Sequence, residues 1–178
     1  MSSQPNIILR SATADDAVAI LRIYTPYIQE TAITYEIDVP SIEDFRKRVE
    51  GVLAHPFPYI VAVDSETGCI VGYCYAHTFR ERAAFSHCVE TSIYIDRDCR
   101  AHGIGRMLYE ELERRLRAQG GFRNLIAIIT WREEEDQYVT HNSVDFHKHM
   151  GYTLVGHLHK CGHKFGQWFD SVLMEKFL

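Results

Sequence analysis

The chain has 178 residues, 46% hydrophobic and 24% charged, and its 19 Lys and Arg against 24 Asp and Glu leave a formal net charge of -5. That length and balance fit one globular domain over residues 1–178 and exclude a disordered chain. The negative net charge argues against a nucleic-acid partner held by overall positive charge, and the absence of an apolar run of ~20 residues argues against a membrane span.

Elements alternate in type along the chain. Ile7 to Arg10 reads as a short strand. Thr13 follows as a helix N-cap, with Asp15 and Asp16 in the first turn and apolar positions at Ala17, Ile20, Leu21 and Tyr24. Ser41 caps a second helix, with Asp44 in the capping-box position and Phe45, Val49, Val52 and Leu53 on one side. Tyr59–Val63 and Cys69–His77 read as strands joined by the turn residues Asp64–Gly68. Val89–Ile95 is a further strand whose polar exit leads into a helix over Gly105–Ala118, ended by Gly120 and Gly121. Leu125–Thr130 is nearly all apolar, the pattern of a strand covered on both faces. A charged stretch precedes a helix over Ser143–His149, and Thr153–Lys160 and Trp168–Phe177 close the chain as strands. The order describes a mixed α/β sheet flanked by helices.

The five cysteines, Cys69, Cys74, Cys88, Cys99 and Cys161, are odd in number and form no C-x-x-C pair. They read as reduced thiols of a cytoplasmic protein. The opening MSSQPNIILR lacks the basic start and long apolar run of a signal peptide.

The segment from Glu90 to Arg106 carries the most chemistry. It runs from a strand through a polar loop with Gly103 and Gly105 into the first turn of an amphipathic helix. Free N–H groups and partial positive charge at a helix start favour phosphate. Glycines let a pyrophosphate approach the backbone, and Arg100 and Arg106 flank the loop with charge-assisted donors. By itself a G-x-G is more often an ordinary strand-to-helix turn. A dinucleotide fold is disfavoured, because a third glycine is missing and the loop lies past mid-chain.

Arg100-Ala101-His102-Gly103-Ile104-Gly105 resembles the pyrophosphate loop, Arg/Gln-x-x-Gly-x-Gly/Ala, of the GNAT superfamily of acetyl-CoA-dependent N-acetyltransferases. The likeness is closer to the branch that includes phosphinothricin and methionine sulfoximine acetyltransferases. It extends through T-A-I-T-Y-E before P-S at Thr31–Ser41, E-T-S-I-Y-I at Glu90, F-H-K-H-M-G-Y at Phe146 and G-H-K-F-G-Q-W-F-D at Gly162. The resemblance implies a mixed, mostly antiparallel sheet that splays between two central strands, and a homodimer. It implies acetyl-CoA as co-substrate, with Ile93, Tyr94 and Ile95 pairing with pantetheine and Arg100, Ala101, His102, Gly103, Ile104, Gly105 and Arg106 around the diphosphate. Where the family often has a pantetheine-binding Asn this chain has Thr140, and the adjacent Asn142 is the substitute. The charged stretch Trp131–Thr140 is also longer than is usual in the branch, a difference bearing on the acceptor entrance.

Acetyl transfer to an amine needs a base, because an amine near its ordinary pKa is mostly protonated at neutral pH. The resemblance gives that role to Glu90, and apolar neighbours would raise its pKa towards neutrality. It gives His147, four residues after Ser143, the leaving thiolate. For the acceptor it implies Tyr35, Phe79, Arg80, Glu81, Arg82, Thr91 and Ser92, with the Arg80 and Arg82 guanidinium groups suited to a carboxylate. The acceptor is then a small molecule of amino-acid type. A peptide, polyamine or protein N-terminus is the alternative, as is a non-catalytic acyl-CoA sensor.

His157, His159, Cys161 and His163 alternate along one strand face. Same-face positions on a straight strand are too far apart for four ligands to converge, so no metal is expected.

Overall fold

The computed structural model describes residues 6–99 and 103–178. The chain divides into two compact units: Met1–Tyr24, Pro40–His77 and Thr91–Phe122 in the first, and Thr25–Val39, Thr78–Glu90 and Arg123–Leu178 in the second.

In the first unit β1 (Ile7–Ser11) runs antiparallel to β2 (Tyr59–Asp64), with Ile7 opposite Asp64 and Ser11 opposite Ile60. β2 continues antiparallel into β3 (Ile70–Thr78), Tyr59 facing Tyr75. Their turn closes through Gly68 N–H to the Asp64 carbonyl at 2.8 Å, and the side chain of Asp64 accepts Glu66 N–H at 2.9 Å. Gly68 takes the left-handed conformation this needs, at φ +72°.

Helix α3 (Ile104–Gln119) lies on β1 and β2. Its buried Ile104, Leu108, Leu112 and Leu116 recur every four residues and form one apolar stripe. Gly72 in β3 allows a close approach: a Cβ there would lie 2.8 Å from Ile95 Cδ1 and 3.3 Å from Leu108 Cδ1. Helix α2 (Ile42–Leu53) starts at Ser41, whose Oγ accepts Asp44 N–H at 3.1 Å and donates to the Asp44 carboxylate at 2.7 Å. Helix α1 (Ala17–Glu30), entered through a single 3-10 turn at Ala14–Asp16, begins in the first unit and ends in the second.

β4 (Cys88–Ile95) likewise contributes to both units. In the second, Cys88, Val89 and Glu90 pair in parallel with Asn124, Leu125 and Ile126 of β5 (Asn124–Trp131). β5 pairs antiparallel with β7 (Gln167–Phe177) along its whole length, from Asn124–Phe177 to Trp131–Asp170. β6 (Thr153–Lys164) pairs antiparallel with β7 and ends the sheet. The strand order is β1-β2-β3-β4 in the first unit and β4-β5-β7-β6 in the second, a seven-stranded, mostly antiparallel sheet with helices. This is the mixed α/β class read from the sequence.

Two local expectations need correction. β5 is not covered on both faces throughout, because Ile128 is 41% exposed. β6 does not stop at Lys160: that residue adopts φ +48°, the register shifts between Leu158 and Gly162, and the strand resumes to Lys164. Its hairpin to β7 turns on Phe165 and Gly166, both left-handed at φ +52° and +71°, with Lys164 opposite Gln167.

Candidate active site

Gly103 occupies the N-cap of α3 at φ +74°, and its carbonyl receives the first helical bond, from Met107 N–H at 3.1 Å. A Cβ on Gly103 would meet nothing within 4 Å, so protein crowding does not demand glycine here; the backbone conformation does. The next residues, Ile104, Gly105 and Arg106, supply N–H groups of the kind that a helix start leaves without intrahelical partners. Arg106 turns along the helix, its Nε donating to Glu110 at 2.6 Å, so an anion at the loop has to compete with that carboxylate for it. Arg100, Ala101 and His102 lie outside the described residues.

Also in the first unit, Ile93, Tyr94 and Ile95 form the end of β4. The Tyr94 ring packs edge-on against Tyr24 at 4.9 Å and near-parallel to Tyr73 at 5.4 Å, which fixes this strand end. Thr91 is buried and its hydroxyl accepts from Tyr109 at 3.3 Å, so its side chain belongs to the core under α3. Ser92 is half-buried.

Glu90 belongs to the second unit. It is half-buried and occupies the last rung of the parallel ladder, opposite Ile126. The same β5 that it pairs with carries helix α4 (Asn142–His149). Within α4, His147 is buried, 5.2 Å from the Phe146 ring and 5.1 Å from the Tyr152 ring, both edge-on. Its Nδ1 lies 2.7 Å from the Ser143 carbonyl oxygen. A carbonyl only accepts, so Nδ1 carries the hydrogen and Nε2 is the proton-accepting nitrogen. Burial pulls the His147 pKa down to about 4, outweighing the bond to Ser143. At neutral pH the ring is therefore neutral, with Nε2 an acceptor. Asn142 is exposed in the first turn of α4, and Thr140 is exposed before it.

Two clusters of the second unit concern the acceptor residues. Phe79 and Phe85 meet edge-on at 6.1 Å, with the Arg80 guanidinium over Phe79 at 4.8 Å; Arg80, Glu81 and Arg82 are exposed. Tyr35 donates its hydroxyl to the Asp170 carbonyl at 2.9 Å, and its ring covers Gly162, where any side chain would collide with it. Beside it, buried Lys164 donates to the Thr34 carbonyl at 2.9 Å, and burial lowers its pKa. Nothing local to Lys164 predicts this contact; a lysine in a strand ordinarily faces water.

The charged stretch before α4 is also more ordered than its composition suggests. Asp136 accepts the N–H groups of Tyr138 and Val139 at 2.8 and 2.9 Å and pairs with Arg132 at 2.6 Å. Val139 is buried with Ala32 and Phe169, and Tyr138 stacks on Phe165 at 4.3 Å.

Residues 9–173 match the family described as the acetyltransferase (GNAT) domain. The chain belongs to the GNAT acetyltransferase family. It is 34% identical over 169 residues to phosphinothricin N-acetyltransferase of Alcaligenes faecalis, covering 94% of this chain and 81% of that one. It is 27% identical over 167 residues to the L-methionine sulfoximine/L-methionine sulfone acetyltransferase of Pseudomonas aeruginosa, covering 94% and 92%. Its fold matches the crystal structure of a GNAT phosphinothricin acetyltransferase from Sinorhizobium meliloti in complex with AcCoA, with a TM-score of 0.86, 35% identity and coverage of 97% and 88%. As a member of the family the chain is an acetyltransferase with acetyl-CoA as donor.

Proposed function

We propose that the protein transfers acetyl from acetyl-CoA to the amino group of a small amino-acid-like acceptor, of which phosphinothricin and methionine sulfoximine are examples. The observation that carries this reading is the 34% identity to a phosphinothricin N-acetyltransferase over 94% of the chain. The exposed Arg80 and Arg82 support it, since two guanidinium groups suit an anionic acceptor and repel a polyamine.

In this proposal the chain works as one domain. Ile93, Tyr94 and Ile95 pair with pantetheine, Arg100 to Arg106 cradle the diphosphate, and Asn142 supplies a further polar contact. Arg80 and Arg82 clamp the acceptor's carboxylate, with Phe79, Tyr35, Glu81 and Ser92 around it; Thr91 contributes through its backbone.

Glu90 takes the amine proton, directly or through one water, as the nitrogen attacks the thioester carbonyl. That attack forms the amide and releases the thiolate, which must gain a proton. The proton that Glu90 takes from the amine goes on through water to the thiolate, and His147 Nε2, an acceptor because its pKa is held down at about 4, orients that water. The transfer itself needs no metal.

We further read the protein as a cytoplasmic homodimer with no nucleic-acid or membrane partner. The unspaced cysteines of the sequence support the compartment. Exposed Leu154, Val155 and Leu158 on the edge strand β6 support the dimer.

The test is thiol release from acetyl-CoA across a panel of amines, with the acetylated product identified by mass. Turnover confined to free amino-acid analogues supports the reading. Turnover confined to peptides or polyamines replaces it, and binding of acetyl-CoA without any turnover makes the chain a sensor.

A further inference from the structure

The alternating histidines near the end of β6 do not behave as a straight strand would have them. Lys160 at φ +48° and the register shift between Leu158 and Gly162 bulge the strand, and a bulge re-aims side chains. His157 and His159, two residues apart and so on one side of the strand, have ring centroids 4.1 Å apart next to this bulge. Across the ladder β7 supplies a third group. His157 Nε2 lies 2.7 Å and His159 Nδ1 3.4 Å from the same oxygen, Asp170 Oδ2. Among the described residues these three side chains form the one group whose potential ligand atoms all lie within 4.8 Å of one another.

We propose that His157, His159 and Asp170 bind a divalent transition-metal cation, with Zn2+ the best fit. Two imidazoles and one carboxylate suit zinc and its first-row neighbours, whereas Mg2+ and Ca2+ favour oxygen ligands. In a tetrahedral site with bonds of about 2.0–2.2 Å, ligand atoms stand roughly 3.3 Å apart; the two imidazole nitrogens lie 2.7 and 3.4 Å from Asp170 Oδ2, and all three atoms fall within 4.8 Å of one another. The carboxylate is already oriented: its other oxygen, Oδ1, accepts Lys160 N–H at 2.7 Å, which leaves Oδ2 turned to the two rings. Outer-shell bonds of this kind fix a metal ligand before the ion arrives. A cation would displace the hydrogen shared by His157 and Asp170, and water would complete its coordination from the open side, where the His159 side chain is 75% exposed.

The site uses none of the residues assigned to acetyl transfer, but it is built on the strand that holds Tyr35, because the backbone carbonyl of the same Asp170 accepts the Tyr35 hydroxyl at 2.9 Å. Bound metal should therefore stabilise the β6–β7 hairpin and raise the melting temperature, as any ligand of the native state does.

Calorimetric titration of Zn2+ into the full-length chain without an affinity tag tests this, with Mg2+ titrated in parallel. The expected result is one Zn2+ per chain and no Mg2+ binding. His159→Gln and, separately, His157→Gln should each weaken Zn2+ at least about tenfold, a loss that removal of even an outer-shell partner produces. His163→Gln should leave it unchanged, and circular dichroism should find all variants folded. No Zn2+ binding at millimolar cation overturns the proposal, as does binding that both folded variants retain. A Co2+-loaded spectrum with thiolate charge-transfer bands would assign the ion to a cysteine and overturn it equally.

Discussion

The Nδ1 of His147 and the carbonyl oxygen of Ser143, one turn apart on α4, are 2.7 Å from each other. That bond fixes the tautomer, and burial between the Phe146 and Tyr152 rings holds the ring neutral.

A pH dependence of stability follows. The His147 pKa is about 4 in the folded chain against 6.5 for an ordinary imidazole. Between those values the unfolded chain binds the proton and the folded one does not, so stability is full above the unfolded pKa and falls as pH drops from 6.5 to 4. The loss from this one group is on the order of 3 kcal/mol. Urea unfolding at a series of pH values should show this slope in wild type, and His147→Asn should flatten it. Carboxylates held low by their partners, such as Glu111 beside Arg114 and Arg115, lose their contribution further down, as pH falls from 4.5 to about 2. An unchanged slope in the variant would assign the effect elsewhere.

Gly103 and Gly68 make a matched pair, at φ +74° and +72°, each with open space around a would-be Cβ. Gly103→Ala and Gly68→Ala should therefore destabilise alike, by roughly 1 kcal/mol. Only Gly103→Ala should also raise the dissociation constant for coenzyme A. Equal affinities in the two variants would remove Gly103 from the cofactor loop.

The bond from Lys164 to the residue before Tyr35 predicts a positioning role. Lys164→Met keeps the stem but removes the charged hydrogen bond to the Thr34 carbonyl, which costs about 1.5–3 kcal/mol. Because Thr34 precedes Tyr35, the acceptor KM should rise while acetyl-CoA affinity and kcat change little. A fall in kcat alone would point to a role in the chemistry itself.

Arg80 presents a planar group stacked on Phe79. Arg80→Lys retains the charge but loses the stacking and the fork, so it should recover only part of the acceptor KM lost in Arg80→Ala. Full recovery would show that charge alone matters.

What the sequence made legible was local. Ser41 announces a helix start through its own hydroxyl, and the Asp64–Gly68 turn announces a hairpin through residues suited to its backbone. The glycine loop at Gly103 pointed to the family because backbone conformation restricts what can stand there. The misses depend on partners distant in sequence. Phe165 turns a hairpin in a left-handed conformation that bulky residues avoid, and its stacking on Tyr138 helps to hold it there. Lys164 is buried by its bond to a carbonyl 130 positions earlier. The side chains of His157 and His159 meet Asp170 where β6 bulges at Lys160 and β7 returns beside it, a pairing that alternation along one strand does not encode.

The most direct test of the proposed chemistry is Glu90→Gln, assayed for thiol release with an amino-acid acceptor and for acetyl-CoA affinity by calorimetry. Replacing a carboxylate by an amide of the same shape removes the base and little else. A loss of turnover of about 10²–10⁴-fold with acetyl-CoA affinity nearly unchanged is the expected result. Turnover close to wild type would show that another group takes the amine proton and would contradict the assignment.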